Sequence, residues 1–141
     1  MSYRSLIIIV LYLAVLGCNK DDEDYSIDCE FSTIISSEEY KNAPSDLITI
    51  NSLKINGDCL KINFSAGGCN GNSWEVILID SGETSKLLPA QRNLRLSLKN
   101  DELCYAYITK ELTFDISNLR VSSNKVQLNI TNSGESILYR Y

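Results

Sequence analysis

Five cysteines and no histidine define the chemistry open to this chain of 141 residues. Histidine is the commonest general base and the commonest protein metal ligand near neutral pH, so its absence removes Ser-His-Asp and Cys-His sites and the zinc sites built on imidazole. Carboxylates alone can still cleave glycosides or hold calcium. The acids in reach of such work are Asp58, Glu75, Asp80, Glu83, Asp101, Glu102, Glu111 and Asp115. None of their spacings demands catalysis. Four cysteines, Cys29, Cys59, Cys69 and Cys104, form an even set without any C-x2-C or C-x4-C pair, which favours two disulfides over a thiolate metal site. No P-loop and no G-x-G-x-x-G occurs, and no cofactor or metal is implied. The fifth cysteine, Cys18, stands apart, between an apolar run at residues 6–16 (LIIIVLYLAVL) and an acidic cluster at residues 21–24.

The apolar run is too short to cross a hydrocarbon core of about 30 Å as a helix. Following Arg4 and the terminal amine, it suits the hydrophobic part of a secretory signal. The tetrapeptide after it, Val15-Leu16-Gly17-Cys18, resembles the lipobox of bacterial lipoproteins, in which the cysteine sulfur takes a diacylglycerol and becomes residue one after cleavage. A nucleophilic sulfur and a small preceding residue are what that chemistry needs. Lys20-Asp21-Asp22-Glu23-Asp24 resembles the lysine-and-acids signal that sends lipoproteins to the cell surface in Bacteroidota. The resemblance implies an outer-membrane, lipid-anchored and surface-exposed protein whose membrane contact runs through Cys18. It also implies a signal peptide at 1–17, absent from the mature chain.

What remains is one domain's length. Residues 18–46 carry nine acids against Lys20 and Lys41, whereas residues 47–141 carry nine acids against ten bases. The net charge of −5 therefore belongs to an acidic tether and leading segment at 18–46, and the body at 47–141 is close to neutral. With no basic patch to neutralise phosphates, nucleic acid is not an expected partner.

The body alternates apolar and polar residues with period two. Leu60, Ile62 and Phe64 interleave with Lys61, Asn63 and Ser65; Leu94, Leu96 and Leu98 with Arg95, Ser97 and Lys99; Val126, Leu128 and Ile130 with Gln127 and Asn129. Similar runs fall at 74–79, 112–116 and 137–141. Asn56-Gly57, Ser81-Gly82 and Ser133-Gly134 punctuate them, and a phase change between Ile50 and Leu53 asks for a bulge near Ser52. The pattern predicts an all-β, immunoglobulin-like antiparallel β-sandwich of about seven to eight strands, stapled by disulfides, with a small β-barrel as runner-up. Phe114-Asp115-Ile116-Ser117-Asn118-Leu119 is similar to the corner of immunoglobulin-like folds, where a leucine plugs the core. Residues 36–41 alone hint at a helix.

Four cysteines allow three pairings, and spacing does not choose among them. Strand phase puts Cys59 on the face opposite Leu60, Ile62 and Phe64, where its partner must come from outside the sheet. Cys29 in the leading segment fits, which leaves Cys69 for Cys104. The runs GGCNGNSWEVILIDS, NLRLSLKN, LCYAYITKELTFDISNL and NKVQLNITNSGESILYRY resemble small surface lipoproteins of Bacteroidota with no assigned activity. That resemblance implies location and a β-rich body and brings no catalytic residues.

The functional expectation is a non-enzymatic binding or structural module with a glycan or protein ligand. Its candidate contacts are the aromatics Trp74, Tyr105, Tyr107, Tyr139 and Tyr141, although Trp74 also has the phase of a core residue. The alternatives are an inhibitor presenting the disulfide-braced loop 67–73, and an acid-only glycan-acting enzyme.

Overall fold

A computed structural model describes residues 28–141, so the lipobox at Cys18 and the Lys20, Asp21, Asp22, Glu23, Asp24 cluster lie outside the described residues. Among the described residues nine strands form two sheets. β1 (Phe31–Ser32), β3 (Thr49–Asn56), β4 (Cys59–Gly68) and β7 (Ala106–Asp115) make one sheet in the order β1-β7-β4-β3. β2 (Ile34–Ile35), β5 (Glu75–Thr84), β6 (Gln91–Lys99), β8 (Lys125–Ile130) and β9 (Glu135–Arg140) make the other in the order β2-β5-β6-β8-β9. The result is a β-sandwich, not a closed barrel.

The alternation in the sequence sets which face is buried. Leu60, Ile62 and Phe64 of β4 meet Leu78 of β5, Leu94 and Leu96 of β6, Val126 and Leu128 of β8, all buried between the sheets. Each buried side chain of this size contributes about 1.5–3 kcal/mol, so the inward-facing rows supply most of the drive to fold. The β3–β4 hairpin turns through Gly57 and Asp58, with only Gly57 in the left-handed region at φ 57°. This is the II′ arrangement, with glycine first. The phase change in β3 is absorbed by a register shift between Ile50 and Ser52. Leaving β7, the chain makes one 3₁₀ turn at Ser117–Leu119 and buries Leu119 completely before crossing to β8.

Two features depart from a simple antiparallel sandwich. Among the described residues three strand pairings are parallel, β1 on β7, β2 on β5, and β6 on β8, and an isolated parallel bridge joins Ser45 to Leu98. The first two arise because the leading segment touches one sheet, passes buried Thr33, and joins the other. Such dipeptides carry no period-two signal, so the sequence does not announce them as strands. Second, helix α1 (Ser37–Asn42) lies against β5. Ser36 caps it by accepting from the Glu39 N–H, and Arg95 closes its far end by donating to the carbonyls of Glu39, Tyr40, Ala43 and Pro44. Residues 29–46 are thus built into the body.

The disulfides join Cys29 to Cys59 and Cys69 to Cys104. Cys59 is the first residue of β4 and Cys69 follows its last, ten residues on, a separation of about 30 Å at strand rise. The two bridges therefore mark opposite poles. The leading segment arrives beside Cys59, at the proximal pole. The loops at 69–74 and 100–105 form the distal pole.

Candidate functional site

At the distal pole two loops are locked together by one carboxylate. Glu102 Oε2 accepts the backbone N–H groups of Cys69 (2.5 Å), Gly71 (3.0 Å) and Asn70 (3.1 Å), while Oε1 accepts the Ser73 hydroxyl at 2.9 Å. Successive amides pointing into one concavity make an anion nest, and here the anion is supplied by the chain itself. Desolvation works against the charge. The Gly71, Cys69 and Asn70 amides and the Ser73 hydroxyl outweigh it and hold the carboxyl at about 2. Asn100 Nδ2 donates to the Gly67 carbonyl at 2.6 Å and Asn100 Oδ1 accepts the Glu102 N–H, tying the same loops again.

Two glycines make room for this clasp. A Cβ on Gly68 would stand 2.5 Å from Glu102 Oε2 and 3.0 Å from the Trp74 ring. Gly71 has φ +70°, and a Cβ there would meet Lys110 Cε at 2.6 Å. Trp74 fills the space beneath. Its ring lies 6.2 Å from Phe64, Lys110 Nζ sits 5.4 Å from its centroid, and that ammonium also donates to the Gly71 carbonyl. The indole N–H is buried without a hydrogen-bond partner among the described residues.

The aromatic candidates separate under this geometry. Tyr105 and Tyr107 are open to solvent, at 103% and 67%, and Leu103 beside them is 91% exposed. Those three alternate along the loop and the start of β7, flanking Cys104. Trp74 is half-buried and part of the distal packing. Tyr139 is a correction: it is fully buried, with its hydroxyl donating to Asp58, so it presents no contact surface. The period-two reading placed it on the last strand without showing that strand's depth. Tyr141 is half-buried, its hydroxyl accepting the Val121 N–H at 2.7 Å. Leu103 was missed, since an apolar residue next to a cysteine in a polar loop reads as core.

Most of the candidate acids are engaged in holding the fold. Asp58 takes both oxygens to Arg120 Nη2 at 2.7 and 2.8 Å, and Arg120 Nε reaches the Tyr139 hydroxyl at 3.0 Å. The hydrogen bond from Tyr139, then that from Arg120, lowers the Asp58 pKa against burial. Burial, reinforced by Asp58, pushes the Tyr139 phenol up to about 12, and Tyr139 and Asp58 together raise Arg120. Asp80, wholly buried, is gripped in two places by Arg92, at 2.7 and 2.9 Å. Glu75 pairs with Lys99, Glu111 with Lys61, and Asp115 caps Ser117. Among the described residues no three histidine, cysteine, aspartate or glutamate side chains cluster as a metal site, and no helix is long and apolar enough to cross a membrane.

No family model and no curated protein matches this chain. Solved structures share its fold at low identity. A NigD-like immunity protein from Bacteroides caccae superposes with a TM-score of 0.54 at 11% identity, over 77% of this chain and 58% of that one. A protein of unknown function, DUF1344, from Bacteroides vulgatus gives 0.54 at 11%, over 79% and 56%. A toxin-related protein from Parabacteroides distasonis gives 0.51 at 15%, over 79% and 60%. This chain spans less than two thirds of each neighbour's length.

Proposed function

We propose that this chain is a lipid-anchored, cell-surface binding module without enzymatic activity, fixed to the membrane through Cys18 and making its contact through the distal pole. The observation that carries the reading is the division of labour between poles. The leading segment, with the lipobox upstream of it, meets the body beside Cys59, and Leu103, Tyr105 and Tyr107 stand exposed about 30 Å away. Large rings on a loop already ordered by a disulfide and a carboxylate clasp lose little entropy on binding, which is the condition for a small contact to be useful. The same rings suit the apolar face of a sugar or a protein surface. The occurrence of the fold in Bacteroides and Parabacteroides proteins agrees with a Bacteroidota origin.

A second reading, an inhibitor, draws on the same braced loops and on the fold's appearance in an immunity protein. It would place the contact on residues 67–73 instead of 103–107.

A photo-crosslinking residue at position 105, 107 or 72 in producing cells tests both, with Lys54 as an exposed control on the polar face of β3. The binding-module reading predicts a discrete adduct from 105 or 107 and none from 54. An adduct from 72 alone selects the inhibitor reading, and indistinguishable labelling at all four positions refutes a distal contact. Protease or glycosidase treatment of the adduct tells a protein ligand from a glycan.

A further inference from the structure

The loop between β5 and β6 carries two leucines that the fold does not use. Leu88 is 99% exposed and Leu87 is 58% exposed, preceded by Ser85 and Lys86 and followed by the half-buried Pro89 and Ala90. With Pro89, Ala90 and, across a cleft, Val121, the two leucines form a contiguous apolar patch, and it is contiguity that marks a contact surface where a lone exposed leucine would not. β5 starts at the distal pole and runs to Thr84, so this loop lies at the proximal pole, where Cys29 is bonded to Cys59. It faces residues 121–125 across a cleft of about 560 Å³, whose lining includes Lys86 and Lys125 and no acid. An apolar tip with ammonium groups beside it and no carboxylate in the lining has the chemistry of an interfacial lipid contact: leucines enter the acyl boundary and lysines meet phosphates.

The length of chain between Cys18 and the body selects the occupant. Asp28 lies ten steps of chain beyond Cys18, and fully extended these reach at most about 36 Å. An anchor at Cys18 therefore holds the proximal pole within that distance of the bilayer, where a weak contact is occupied because its effective concentration is high, and a contact at this pole would be what sets the orientation. We propose that the Leu87–Leu88 loop is a lipid-docking tip that seats the proximal pole on a phosphate-bearing bilayer and points Leu103, Tyr105 and Tyr107 away from it. This presupposes the anchored reading above.

The test couples the mature chain, residues 18–141, through its Cys18 thiol to maleimide lipid in vesicles of phosphatidylcholine and phosphatidylglycerol, and in parallel to a soluble maleimide polymer. Hydroxyl-radical footprinting then reads side-chain access. Docking predicts at least about a threefold fall in oxidation of Leu87 and Leu88 on vesicles relative to the polymer, with Leu103 and Tyr105 unchanged. A K86E/K125E double variant, which leaves both leucines in place as reporters, returns their oxidation toward the polymer level. Equal oxidation in both settings overturns the proposal, as does protection that survives the double variant. Protection that also appears on the polymer as protein concentration rises assigns the loop to contacts between copies and overturns it too. Because the coupling substitutes for natural acylation, failure here is separable from failure of the anchor, which is read from the mass of the native product.

Discussion

Removing the distal bridge by a C69A/C104A substitution should cost the protein much of its stability while leaving the distal loops in place. The bridge closes a loop of 35 residues, and the chain-entropy relation puts the lost restriction of the unfolded state at about 3.8 kcal/mol. The proximal bridge closes 30 residues and the same relation gives about 3.7 kcal/mol, so C29A/C59A should destabilise to nearly the same extent. The native states should respond differently. At the distal pole Glu102 still binds three amides of one loop, and Asn100 still reaches Gly67. At the proximal pole residues 28–33 keep the two-residue β1 pairing, the contacts of Glu30 with Thr113 and the hydrogen bonds of Thr33 with Asp115 and Asn118, spread along the segment with no single group that gathers three amides as Glu102 does. Urea unfolding of both variants measures the loss, and amide hydrogen exchange locates the loosening. Similar losses near 3–4 kcal/mol, with faster local exchange at residues 28–33 in C29A/C59A but little change at 69–73 in C69A/C104A, are expected. A loss below about 1 kcal/mol for either variant, or local melting of 69–73 as complete as that of 28–33, would refute the reasoning.

Other perturbations follow from the two polar clusters. The Glu102 carboxyl lies at about 2 against an ordinary 4.5, so its contribution is complete above pH 4.5 and drains away as pH falls toward 2. In E102Q the amide resonances of residues 69–73 should lose that acid titration, and an unchanged titration would remove Glu102 as its source. Tyr139→Phe strips Asp58 of a donor and Arg120 of an acceptor in the proximal pole and should cost about 1–3 kcal/mol in urea unfolding. The phenol is raised from 10 to about 12, so its share of stability is whole below pH 10 and is lost as pH rises through 12. Ultraviolet titration finding Tyr139 ionised at an ordinary tyrosine pH would contradict the cluster. Gly71→Ala combines a left-handed φ with a close approach to Lys110 and should destabilise by at least about 1–2 kcal/mol, whereas Gly67→Ala, with only the Ala106 carbonyl near at 3.9 Å and no positive φ, should be mild. Equal unfolding midpoints for the two variants would show that the Gly71 turn is not the constraint it looks to be.

The strands of the sandwich interior were legible because Leu60, Ile62 and Phe64, or Val126, Leu128 and Ile130, each commit one face to the core over several residues. The corner was legible too, since Leu119 sits just where a strand must leave its sheet. Beyond that the signal thins for physical reasons. Phe31–Ser32 and Ile34–Ile35 are too short for any period and gain their strand geometry from edges that β7 and β5 offer. Tyr139 and Tyr107 have the same residue type and both sit in strands, yet one is buried and the other faces water, because depth depends on which strands cover which. Glu102 gave no local sign of its role either. A carboxylate in a polar loop looks solvated until the fold brings the amides of residues 69–71, some thirty positions earlier, around it.

The central claim, a body held to a membrane at its proximal pole, rests on the fate of Cys18, and the intact mass of the protein isolated from producing cells measures that fate directly. The account predicts a chain that begins at Cys18 and carries a diacylglyceryl thioether. A product that retains residues 1–17 with an unmodified Cys18 would contradict it.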